Sequence, residues 1–128
     1  MRALLSLGLF LSACTTTGPV STDGGTYVVD WQTTPETIPL NETFSIDVSV
    51  TMSDGAVADD VNLEVNAVMP SHGHGMDVEP SVSAGEDGAF TVDGMLLHMS
   101  GEWLLTFTVE PDGAPAETAS VEIQCCEA

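Results

Sequence analysis

A period of two in the placement of apolar residues constrains this chain more than any other feature. Phe44, Ile46, Val48, Val50 and Met52 alternate with Ser45, Asp47, Ser49 and Thr51. Alternation of this kind puts every second side chain on one face of an extended strand, and only a half-buried sheet makes use of it. Val61, Leu63, Val65, Ala67 and Met69 repeat the pattern against Asn62, Glu64 and Asn66. Trp103, Leu105, Phe107 and Val109 carry it again, as do Ala119, Val121, Ile123 and Cys125. Shorter extended runs are expected over residues 27–31, 77–83 and 89–99, the last bent at Gly94. Ser53-Asp54-Gly55, Gly85-Glu86-Asp87-Gly88, Ser100-Gly101 and Pro111-Asp112-Gly113 supply turns between them. No stretch has helical periodicity. About seven short strands, with turns roughly every 8–12 residues, predict an all-β fold. The expected architecture is an immunoglobulin-like antiparallel β-sandwich, with a small barrel as the alternative. The Cys-Trp-Cys spacing of antibody domains is absent.

The N-terminus speaks to the compartment. MRALLSLGLFLSAC holds one positive charge, at Arg2, then a short apolar run ending in Leu11-Ser12-Ala13-Cys14. Such a run is too short to span a bilayer and suits a secretory signal over residues 1–13. Leu-Ser-Ala-Cys resembles a bacterial lipobox, which implies cleavage before Cys14 and lipidation of its thiol. An ordinary signal peptide with a chance cysteine is the other reading. Thr15, where an Asp would hold the protein at the inner membrane, favours the outer membrane. Residues 15–26, rich in Thr, Gly, Ser and Pro, read as a flexible tether beyond a lipidated Cys14. The folded domain then occupies residues 27–128, held to a membrane of the cell envelope by lipid alone, in the periplasm or at the surface.

Charge excludes several function classes. The chain has one Lys+Arg and twenty Asp+Glu, for a formal net charge of −19. The single Lys or Arg is Arg2, so no lysine or arginine follows Cys14. Such a surface repels nucleic acid and offers no group for holding phosphate. It attracts cations diffusely, although solubility accounts for it as well. Catalysis finds no support either, since there is no nucleophile–base order, no phosphate loop and no acid–base pair among carboxylates that fall on solvent-facing positions.

Of the three cysteines, Cys14 is assigned to lipid, which leaves only the adjacent Cys125 and Cys126. No long-range disulfide is available to one chain, so packing must hold the fold. The pair could form a vicinal disulfide, bind a soft metal or bridge to another chain, and Cys125 also fits a buried position in the last strand.

MPSHGHGM, residues 69–76, holds two of the three histidines, each followed by glycine, with a methionine at either end. Imidazole and thioether together suit copper(I), whereas zinc favours imidazole with thiolate or carboxylate. An isolated His-Gly-His is more simply a glycine-rich turn. The third histidine shifts the balance, because His98-Met99 is another histidine beside a methionine at a strand end. In a strand the two point to opposite faces; Met99 shares parity with Met95 and Leu97, so His98 is the better ligand. In a seven-stranded sandwich, the loop at residues 69–76, the corner at 98–101 and the end of the last strand meet at one pole. The first strand starts at the other pole, which would hold the tether away from the site. The candidate metal ligands are His72, His74, Met76 and His98, with Met69 and Met99 as auxiliary or packing residues.

MPSHGHGM, followed by DGAFTVDGMLLHMSGEWLLTFTV, resembles the YtkA-like and FixH-like periplasmic domains over residues 44–109. Met69, Pro70, His74, Gly75 and Met76 match the first motif of that family, and Met99, Gly101 and Trp103 the second; His72 and His98 have no assigned counterpart. The resemblance implies an immunoglobulin-like sandwich and an association with copper handling or respiratory-oxidase biogenesis. The expectation is therefore a copper-binding envelope lipoprotein, with a copper donor or acceptor protein as partner. A non-catalytic acidic adaptor with no metal site is the competing class. A third possibility is a Zn²⁺ or Ca²⁺ binder using Asp77 and Glu79 with the histidines.

Overall fold

A computed structural model describes residues 17–126. The predicted signal sequence and Cys14 lie outside those residues. Nine strands follow in order: β1 Thr17–Ser21, β2 Tyr27–Thr34, β3 Phe44–Met52, β4 Val61–Met69, β5 His74–Gly75, β6 Ser81–Ala84, β7 Ala89–Met95, β8 Gly101–Pro111 and β9 Glu117–Cys125. There is no helix among the described residues, and so none able to cross a membrane. One sheet runs β1-β2-β3-β7-β6 and the other β5-β4-β8-β9, with every pairing antiparallel. Without β1 and β5 the order is that of a seven-stranded immunoglobulin sandwich, four strands against three.

The alternation predicted from sequence is realised as burial. Phe44, Ile46, Val48 and Val50 on β3 meet Leu63, Val65, Ala67 and Met69 on β4 across one core, with Trp103, Leu105, Phe107 and Val109 on β8. Asp47, Ser49, Asn62, Glu64 and Asn66 face solvent. Each large side chain so buried contributes on the order of 1.5–3 kcal/mol. Those contributions must carry the fold, since the one disulfide among the described residues joins neighbours in sequence.

Two strands were not legible. The expected flexible tether is from Thr17 onward a strand: β1 pairs with β2 from Thr17↔Gln32 to Ser21↔Val28. Its Thr-Gly-Pro composition suits an edge, where the missing N–H of Pro19 removes no central ladder bond. Because β1 runs back along β2, Thr17 stands at the end of the sandwich where β2 finishes. The chain thus enters on the histidine side, and the expectation that the tether is held at the far pole is corrected. β5 has two residues, too few for any periodic signal.

Candidate metal centre

Pro70 follows the last residue of β4, and the chain reverses at once. The N–H groups of His72 and Gly73 both donate to the Met69 carbonyl, at 3.0 and 2.9 Å. Gly73 takes a φ of 71°, which a side chain would resist. His74 then pairs with Met69, and Gly75 with Val68. Facing residues of an antiparallel pair point to the same side, so His74 shares the inward face with Met69. A Cβ at Gly75 would stand 3.2 Å from the Ala67 carbonyl oxygen, a closer approach than most side chains make, which favours glycine here.

His98 sits on the connection from β7, in the first sheet, to β8 in the second. Phe44 pairs with Met95 but Ile46 with Val92, so β7 carries a bulge, and Gly94 within it has a φ of 81°. That kink sends Met95 and Leu97 into the core, where both are fully buried. The Asn41 N–H donates to the Leu97 carbonyl at 2.9 Å, pinning the segment. His98, of opposite parity, turns its ring to the pole with 22% of the side chain exposed.

The two histidines therefore meet although one sits on β5 and the other on the β7–β8 connection. Their ring centroids are 5.2 Å apart, and His72 stands 5.8 Å from His74 on the solvent side. Two imidazoles sharing one ion through bonds of about 2 Å hold their centroids roughly 5–6 Å apart. Trp103 forms the floor. Its buried indole meets His74 at 6.2 Å and His98 at 5.8 Å, edge-on to both. The indole N–H donates to the Met99 carbonyl at 3.0 Å, which fixes the floor to the corner carrying His98.

The ring nitrogens differ in their surroundings. His74 Nδ1 lies 3.1 Å from the Gly75 carbonyl oxygen. A carbonyl only accepts, so this contact puts the proton on Nδ1 and leaves the lone pair on Nε2. His98 Nε2 is 3.9 Å from Asp77 Oδ2, and His98 Nδ1 is buried with no hydrogen-bond partner.

Sulfur is nearby. Met76 and Met99 are half-buried against the core, whereas Met69 is in it, 1% exposed. The Met69 Cε is 2.8 Å from where a Gly101 Cβ would be, so Gly101 makes room for it and packing describes its surroundings. Met76 and Asp77 line a groove of about 610 Å³ beside Glu64 and Glu79, so carboxylates flank the approach to the thioether. Cys125 pairs with Gly101 at this same pole and is joined to Cys126 in a vicinal disulfide. In that form neither offers a thiolate. Among the described residues no three His, Cys, Asp or Glu side chains are grouped to hold a metal ion. A closed coordination shell here would need the thioethers.

The sequence reading missed two residues of this arrangement. Trp103 was legible as a core residue, and its spacing of five from His98 gives no hint that it lies beneath two histidines. Asp77 is legible only as a ligand for Zn²⁺ or Ca²⁺, yet it faces His98.

No protein-family model matches the chain, and no curated protein does either. The likeness to YtkA-like and FixH-like domains thus rests on the two motifs. Solved structures do match in fold. A DUF4426 family protein from Pseudomonas aeruginosa aligns with a TM-score of 0.56 at 14% identity, covering 85% of this chain and 96% of that one. FetP of a uropathogenic Escherichia coli strain, expressed in the periplasm, aligns at 0.53 and 10% identity, covering 87% and 97%. A copper-bound variant of FetP aligns at 0.56 and 9% identity, covering 88% and 92%. At such identities the likeness is one of fold.

Proposed function

We propose that this domain is a non-catalytic copper-binding protein of the bacterial envelope, holding copper(I) at the histidine pole for sequestration or transfer. His74 and His98 are the nitrogen donors, and Met76 and Met99 supply thioether sulfur. His72 stands outside as an entry ligand. The observation that carries the reading is the meeting of His74 and His98 over Trp103, with a methionine two residues after the one and another next to the other in sequence. Imidazole with thioether is a donor set matched to a soft monovalent ion. The orphaned His98 Nδ1 adds weight, since a buried polar atom left without a partner costs about 1–3 kcal/mol. Copper-bound FetP, which shares the fold, supports the choice of metal. Periplasmic or surface placement and a lipid on Cys14 belong to the same proposal, supported by the lipobox-like sequence. The YtkA-like resemblance would make the partner a copper donor or acceptor.

The test is a copper(I) titration of the chain from Thr15 onward, which keeps every described residue, against a competing chromophoric chelator. Tight one-to-one binding is expected. It should weaken by more than about 100-fold in His74→Ala/His98→Ala, beyond the 10–100-fold typical of changes to groups behind the ligands. If the parent leaves all copper with the chelator, the domain is better pursued as an acidic adaptor. Removing the Met76 and Met99 thioethers separates the ions: copper(I) affinity should fall while zinc affinity barely changes.

A further inference from the structure

We infer that the two histidines bind through different ring nitrogens, His74 through Nε2 and His98 through Nδ1, and that Asp77 is the positioning residue for His98. This rests on the copper reading and goes further, since it assigns the ligating atoms and adds a residue behind them.

The assignment follows from what already occupies each ring. In His74 the Gly75 carbonyl takes the Nδ1 proton, so the free lone pair is on Nε2. His98 is the opposite case. Its Nε2 faces the Asp77 carboxylate at 3.9 Å, and its Nδ1 is buried with nothing to accept from or donate to. A neutral imidazole carries one proton. Placed on Nε2 it points at Asp77; the lone pair is then on the orphaned Nδ1, the atom that lacks a partner. Each ring so has one acceptor behind it, a carbonyl for His74 and a carboxylate for His98, and one nitrogen left for an ion. Histidine ligands in metal sites usually donate their second N–H in this way, which fixes the ring and raises its basicity.

Asp77 suits the part by position. Its side chain is 80% exposed, so it does not serve the core. It follows Met76 where the chain bends after β5, and both residues line one groove. The same short segment can present a sulfur to the ion and a carboxylate to the ligand on the β7–β8 connection. Ligation would draw the segment after β5 toward the corner after β7, shortening the 3.9 Å contact to a charge-assisted hydrogen bond.

Long-range ¹H–¹⁵N spectra of the ¹⁵N-labelled full chain, recorded anaerobically with and without one equivalent of copper(I), test this directly. Expected are copper-induced shifts at His74 Nε2 and His98 Nδ1, with both opposite nitrogens remaining protonated. Asp77→Asn, which keeps size and removes charge, should weaken copper(I) binding by about 10–100-fold, and leave the copper-free unfolding midpoint unchanged. The inference is overturned if copper binds tightly but shifts His98 Nε2, or leaves His98 unmoved because water satisfies Nδ1. It is equally overturned if Asp77→Asn binds like the parent. A parent chain that takes no copper at all defeats the underlying copper reading instead, so the two failures are told apart.

Discussion

The two ends of this sandwich are finished in opposite ways. At the end away from the histidines, the β1–β2 turn closes on the start of β9. Thr22 and Thr26 each donate a hydroxyl to the Glu117 carboxylate at 2.6 Å, and the Thr26 N–H adds a third bond at 3.2 Å. Beside them the Asp23 N–H donates to the Thr118 carbonyl at 2.7 Å, and the Thr118 N–H to Asp23 Oδ1 at 3.0 Å. Glu117 is held below its ordinary pKa chiefly by the Thr22 bond and then by Thr26, which favour the charged form. At the histidine end the rings rest edge-on against Trp103, with one backbone contact and a buried nitrogen left unpaired. The first end uses its polar groups on itself. The second leaves donors for a ligand, although both ends close the same core.

The sharpest way to break the contrast is to remove what the open end stands on. Trp103→Ala should cost about 3–5 kcal/mol, because a fully buried indole leaves a cavity the sheets cannot close. It also takes the floor from His74 and His98, so denaturant unfolding and copper(I) affinity should both worsen. Retained affinity in this variant would show that the histidines are positioned by their loops alone. A smaller stability effect, with the opposite signature, is expected at the closed end. A Cβ at Gly24 would come within 2.5–2.8 Å of the Glu117 carboxylate. Gly24→Ala should push that carboxylate off the threonine hydroxyls, lowering stability modestly, and leave copper(I) affinity as it was. If affinity falls too, the ends are coupled through the sheets.

How far the sequence disclosed these ends depends on where each signal lies. Alternation marks side chains by face, so the strands from Tyr27, Phe44, Val61, Ala89, Gly101 and Glu117 were legible, and the meeting of His72, His74 and His98 followed from strand order. The clasp was not. Thr22-Asp23-Gly24-Gly25-Thr26 is hairpin chemistry, but the strand before it holds Gly18 and Pro19 and no alternating apolar run. Its pairing depends on an open edge of β2, and its turn on Glu117, which lies more than ninety residues away in sequence. Asp77 was hidden for a related reason: its role depends on which ring nitrogen of His98 is free, and periodicity carries no such information.

The clasp also predicts a pH dependence confined to its own end. Glu117 has a folded pKa below the ordinary 4.5. A carboxylate shifted downward stabilises the fold at pH above its unfolded value, and the contribution is lost as pH falls from there through the folded value. Unfolding measured from pH 6 downward should therefore show a loss of stability below pH 4.5 that is smaller in Glu117→Gln, which binds no proton on folding or unfolding. Equal slopes for parent and variant would mean that the threonine hydroxyls do not favour the charged form.

The smallest effect sharpens the contrast most. His72 lies in the loop that first suggests metal binding, yet it is exposed and meets His74 from outside. An exposed, unanchored ligand must be ordered on binding, and that entropy cost offsets much of what its bond contributes. His72→Ala should therefore weaken copper(I) binding by less than about tenfold, or 1.4 kcal/mol, where His74→Ala or His98→Ala costs far more. Its larger effect should be on exchange, with copper transferred more slowly to a competing chelator at nearly unchanged affinity. If His72→Ala instead costs as much as His74→Ala, the site is the exposed loop itself. Anchoring by Trp103 and the second sheet would then not be what distinguishes the open end.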